Sequence, residues 1–125
     1  MKLEYLADGS PECPLIRLYD FNQSEVQQLK HFVKLLVNGE RQHVALQNEV
    51  WVNPVADCSL ILRRGTRNEG VRLIRGLEFE CVMNSNGWNN VEGLLEPFCE
   101  GSASGFQWLS DGGRVALLIS QSGQW

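Results

Sequence analysis

Apolar and polar positions along the chain follow two periods. From Cys58 to Met83 the apolar residues alternate: Cys58, Leu60 and Leu62, then Val71 and Leu73, then Phe79, Cys81 and Met83. Period two marks strands with one face buried, because successive side chains point to opposite sides. With Gly65 to Asn68 as a four-residue turn, Leu62 falls opposite Val71, Leu60 opposite Leu73 and Cys58 opposite Arg75. With Arg75, Gly76 and Leu77 as the next turn, Leu73 falls opposite Phe79 and Val71 opposite Cys81. A two-residue turn at Arg75 and Gly76 would set Leu73 against Glu78 and Val71 against Glu80, and is rejected. The spacing therefore predicts a three-stranded antiparallel meander. Its other face, carrying Ser59, Ile61, Arg63, Arg72, Ile74, Glu78, Glu80 and Val82, is mixed.

Alternation recurs near the start. Lys2 to Ala7 and Leu15 to Tyr19 read as two strands separated by the breakers Asp8, Gly9, Ser10 and Pro11, and the short spacing predicts an antiparallel pair. The period then changes to that of a helix. Val26, Leu29, Val33, Leu36 and Val37 make one stripe, Ser24 and Gln27 have capping-box spacing, and Asn38-Gly39 supplies a left-handed stop. A strand is predicted near His43 to Leu46 and a weaker one around Val50 to Val52, ended by Pro54. After a turn over Asn84 to Asn90, Val91, Leu94, Leu95 and Phe98 repeat at helical spacing, with Ser85, Asn86 or Asn89 as the cap. Pro97 should loosen the end of that helix. A two-residue Gly112-Gly113 turn then predicts a hairpin with Trp108 opposite Leu117 and Phe106 opposite Ile119. Its second strand is apolar on both sides near the middle, as a central strand is.

This order predicts a single α+β domain over residues 1–125: a mostly antiparallel sheet of about seven strands with two helices packed on one face. A strand followed at once by a helix occurs twice, but the two units share too few residues to be read as a duplication.

Composition narrows the function classes. At 43% hydrophobic and 21% charged the chain is ordinarily globular. It carries no long apolar run of the membrane or signal-peptide kind, so the expected place is the cytoplasm. A net charge of -4 argues against a nucleic-acid partner held by bulk electrostatics. Cys13, Cys58, Cys81 and Cys99 are widely spaced, which fits buried thiols rather than a zinc site or a redox pair. No catalytic residue, metal ligand or cofactor is therefore assigned.

Three features carry candidate chemistry. Arg63, Arg64, Arg67, Arg72 and Arg75 place five of the eleven basic residues within one predicted hairpin. Guanidinium groups bind paired oxygens, so this tip is the candidate partner- or anion-binding site, and alanine at Arg63, Arg64 and Arg67 is expected to leave the fold intact. Glu78 and Glu80 lie two apart on one strand face, and cross-strand pairing of Glu80 with Arg72 explains them without a catalytic role. Asn86, Trp88 and Asn89 stand at a helix entrance and are candidate ligand-lining residues. Of the four tryptophans, Trp125 is the one expected to be exposed. The reading is a non-catalytic binding or protein-interaction module, with a protein partner or self-association through a sheet edge or the mixed face. The alternative is a small enzyme or ligand-binding protein with a pocket between sheet and helices near Trp88.

Overall fold

A computed structural model describes all 125 residues. The elements run β1 (Lys2–Leu6), β2 (Leu15–Tyr19), α1 (Gln23–Asn38), β3 (His43–Ala45), β4 (Asn53–Pro54), β5 (Ser59–Arg64), β6 (Gly70–Arg75), β7 (Glu78–Met83), α2 (Ser85–Cys99), β8 (Phe106–Ser110) and β9 (Ala116–Ser120). The layout is α+β, but the strands form two mixed sheets rather than one mostly antiparallel sheet of seven. The first has the order β4-β1-β2-β9-β8 and the second β3-β5-β7-β6. Three neighbouring pairs are parallel: β1 with β4, β2 with β9, and β5 with β7. A single bridge, Val71 to Val115, joins the sheets at a corner.

The central meander is corrected in two respects. The smaller is its second turn: Arg75 pairs with Glu78, so the turn is Gly76-Leu77 rather than Arg75 to Leu77, with a shift in the ladder after Leu73 taking up the extra residue. β6 and β7 pair antiparallel with Val71 opposite Cys81 and Leu73 opposite Phe79, as the alternation predicts. β5, however, does not pair with β6. It lies parallel to β7 on the far side, with Leu60 opposite Phe79 and Leu62 opposite Cys81. The physical reason is burial: five of the six residues of β7 are buried, whereas β6 is exposed from Arg72 to Arg75. A strand that must be covered on both faces takes the inside place, and a strand that tolerates water takes the edge. The chain reaches that edge by crossing the end of β7. There Gly65 N–H donates to Met83 O and Glu69 N–H to Val82 O, each at 2.9 Å. The crossing is close enough to require glycine at Gly65, where a Cβ would come within 2.6 Å of the Val82 side chain.

The cap of α1 is Asn22, two residues before the predicted Ser24. Asn22 Oδ1 accepts from Glu25 N–H at 2.9 Å, and Glu25 Oε1 accepts from Asn22 N–H at 3.0 Å. Phe21 and Val26, both buried, occupy the staple positions around this box. The predicted stop holds, with Gly39 left-handed at φ 77°. Glu25 also receives the terminal ammonium of Met1 at 2.7 Å, which ties β1 to the start of α1. In α2 the cap is Asn84, whose side chain accepts from Gly87 N–H, so no turn separates β7 from the helix. The expected strand around Val50 to Val52 is absent; Asn53–Pro54 pairs with β1 instead.

β9 is central, as its two-sided apolar pattern implies, but its hairpin register differs from prediction. Phe106 pairs with Ser120 and Trp108 with Leu118, and the ladder shifts between Trp108 and Ser110. Val115 leaves the hairpin to bridge Val71, so the connection is longer than two residues. The two helices pack against each other through Gln23 and Gln27, which both donate to Cys99 O, and through the Lys30–Glu96 ion pair. A core of 28 buried residues draws on both helices and both sheets. No helix is long and apolar enough to cross a membrane.

Candidate functional site

The five arginines of the predicted tip do not meet in one patch, because β7 separates β5 from β6. Four of them already have partners within the chain. Glu80, on β7 between them, is buried at 8% exposure, and its carboxylate accepts from Arg63 Nε at 3.1 Å and from Arg72 Nε at 2.6 Å. Burial alone would raise the Glu80 pKa, but the hydrogen bonds and charges of Arg72 and Arg63 together hold it below its ordinary range. Arg75 Nε donates to Glu78 at 2.5 Å. Arg64 Nη1 donates to the carbonyls of Leu36 and Val37 at 2.7 and 2.8 Å, closing the C-terminal end of α1, where a cation complements the helix dipole. Only Arg67, exposed in the crossing loop, has neither an ion pair nor a side-chain hydrogen bond. Arg63 and Arg64 thus make contacts within the fold, so alanine at these positions is expected to lower stability rather than act on a partner alone.

The helix entrance is likewise structural. Trp88 is 1% exposed, and its indole N–H donates to Arg63 O at 3.0 Å, linking α2 to β5. The space around Trp88 is filled by core side chains. Asn86 and Asn89 face solvent. A recess of about 220 Å³ beside the start of α2 is walled by Asn68, Gly87, Asn90 and Asp111 among others, and includes none of Asn86, Trp88 and Asn89. Trp125 is half-buried, and the tail folds back: Arg17 donates to Gly123 O at 2.7 Å and Ser120 to Gln124 O at 2.7 Å.

The largest described cleft, about 810 Å³, lies at the corner where the sheets meet. It runs beside the free edge of β6 and is lined by Tyr5, Pro14, Leu73, Phe79, Val115 and Arg114, with Glu69 and Arg72 on the rim. Its accessible apolar surface comes from Leu73, 55% exposed, with Tyr5 and Pro14 half-buried. Phe79 lies buried behind, its ring 4.7 Å from that of Tyr5. Ile74, the next residue along the edge, is 48% exposed. A smaller cleft of about 340 Å³ shares Pro14, Gly113 and Arg114 and adds Glu12, Trp108 and Asp111. Arg114 stands between the two without a carboxylate within ion-pair distance.

No group of three or more His, Cys, Asp or Glu side chains is placed to hold a metal ion. The four cysteines are free. Burial pushes the Cys81 thiol up to about 12 and the Cys58 thiol up to about 11, which suits packing rather than nucleophilic chemistry. Comparison of the chain with protein-family models, with curated proteins and with solved structures found no match.

Sequence reasoning passed over Tyr5, Pro14, Leu73 and Arg114, which come from four separate stretches. One signal was available. Leu73 and Ile74 are consecutive apolar residues where the alternation breaks; the ladder shifts at this point, and on the outer strand both stay exposed.

Proposed function

We propose that the chain is a non-catalytic protein-interaction module, a single domain that binds its partner along the open edge of β6 and the cleft beside it. The observation that carries this reading is the pair Leu73 and Ile74, exposed together on an edge strand next to an apolar cleft. Unpaired strand edges offer a row of backbone donors and acceptors to another chain. The internal pairing of Arg63, Arg64, Arg72 and Arg75 moves the contact away from the arginine tip and toward this edge. Net charge -4 favours a protein over a nucleic acid as partner. The four free thiols suit the cytoplasm, the compartment we assign.

The test compares wild-type protein with Leu73→Lys as immobilised bait. Because Leu73 is already half in water, the variant should keep its circular dichroism and melting profile. A partner held by the wild type, lost by the variant and recovered chemically unchanged supports the module. Equal capture by both baits contradicts the surface, and a partner recovered cleaved or modified contradicts the non-catalytic reading.

A further inference from the structure

We infer that the segment bound at this edge is a short extended strand bearing a carboxylate, added outside β6, with the carboxylate held by Arg114. The inference rests on the interaction reading above and names its occupant. β6 has β7 on one side only; on the other, Val115 bridges Val71 and nothing pairs beyond it. Gly113 sits tightly against the same end, where a Cβ would come within 2.7 Å of Val71 O. The free lane therefore starts at Arg72 and is bounded by the Gly112–Arg114 turn. A shift in the ladder between Leu73 and Arg75 limits it further, so it accommodates a short segment.

A second copy of the chain fits this lane poorly. A two-fold antiparallel pairing centred on Leu73 would set Arg75 of each copy opposite Val71 of the other, the place already taken by Val115. Charge points to the end group. Arg72 is held by Glu80 and Glu69, and Arg75 by Glu78, whereas Arg114, at the blocked end of the lane, has no ion partner. Glu12 and Asp111 line the neighbouring cleft with Arg114, yet neither comes within 4 Å of it. Among the charged groups that line the larger cleft itself, Glu69 and Arg72 pair with each other, so its one unmatched charge is the positive one of Arg114, with Glu12 and Asp111 on the far side of that residue. Guanidinium binds carboxylate in a forked geometry that fixes both position and orientation. In strand addition, backbone hydrogen bonds supply affinity, and pockets for alternate side chains supply selectivity. Here one apolar side chain would lie on Leu73 and Tyr5.

The experiment is an NMR titration of the ¹⁵N-labelled full chain with three synthetic pentapeptides. These are acetyl-Thr-Val-Thr-Val-Glu-amide, the same peptide ending in Lys-amide, and acetyl-Thr-Val-Thr-Val-Thr with a free C-terminal carboxylate. Expected are amide shifts at Arg72 to Arg75 and Gly112 to Val115, with the lysine peptide about tenfold weaker than the better carboxylate peptide. Comparing the glutamate and free-acid peptides shows whether a side-chain or terminal carboxylate is preferred. Arg114→Ala should remove that tenfold advantage and leave the lysine peptide unaffected. No edge shifts with any peptide, equal binding of the acidic and basic peptides, or edge shifts that grow with protein concentration alone would each overturn the inference. Partner capture that still depends on Leu73 in those cases would leave the interaction surface standing; capture indifferent to Leu73 sinks both.

Discussion

Replacing Glu80 with Gln keeps the shape of the side chain and removes the charge that Arg63 and Arg72 enclose. The carboxylate is nearly dry, with its side chain 11% exposed, while Arg63 is 41% exposed. Charge-assisted hydrogen bonds to buried groups contribute about 1.5–3 kcal/mol each, whereas exposed ion pairs contribute under about 1 kcal/mol. Desolvation of Glu80 offsets part of the gain. Combining these, Glu80→Gln should cost about 2 kcal/mol at pH 7, equivalent to a fall in Tm of about 6–10 °C for a chain of this size. Urea titration followed by circular dichroism measures it without the ionic screening that guanidinium chloride adds. The folded-state pKa of Glu80 lies below its ordinary value of 4.5, so its stabilisation is present above about pH 4.5 and lost as pH falls through the lowered value. The gap between wild type and variant should therefore narrow in acid. A cycle with Arg72→Met should show losses that are less than additive, since both changes break one contact. A gap under about 0.5 kcal/mol at pH 7, the usual effect of an unimportant surface change, would refute the reasoning, as would one that does not narrow in acid.

Arg64→Ala should cost about 1–2 kcal/mol through the two α1 carbonyls it leaves without a partner, while Arg67→Ala stays within about 0.5 kcal/mol; urea midpoints for the two variants check both. Titration with a disulfide reagent under native conditions should find one fast thiol, Cys13, because Cys58, Cys81 and Cys99 are buried, and all four should react in urea. Trp88→Phe should lower stability by about 1–3 kcal/mol, since it removes the donor to Arg63 O and leaves a void in the core, and the loss should appear as a shifted urea midpoint with unchanged slope.

Which face of each strand is buried was legible in the sequence, because alternation is a property of the strand itself. Leu60, Leu62, Val71, Phe79, Cys81 and Met83 lie in the core as the period predicts, but Leu73, expected on the same face, is 55% exposed because β6 is an outer strand. Which strand lies next to which was only partly legible. A parallel β5–β7 pair and an antiparallel β5–β6 pair place the same residues inward, so alternation cannot choose between them. The deciding quantity is burial of Glu80 and Val82 on the other face, and Glu80 reads as polar until its two arginines are brought to it from either side. The same assembly explains the arginine tip: its charge density was visible, but its partners come from α1 and β7. The α1 boundary moved because Asn22-Glu25 and Ser24-Gln27 both satisfy capping chemistry, and Phe21 at the staple position favours the first. The cleft was not legible at all, since Tyr5, Leu73 and Arg114 meet only through the Val71–Val115 corner.

The open edge on which binding depends exists only if β7 lies between β5 and β6. Cross-strand nuclear Overhauser contacts in the full chain test that order most directly. The structure predicts contacts joining Leu60 to Phe79 and Leu62 to Cys81 across a parallel pair, and Val71 to Val115 at the corner, with none joining the backbones of Leu60 or Leu62 to β6. Backbone contacts between Leu62 and Val71 would make β6 an inner strand, close its edge and contradict the account.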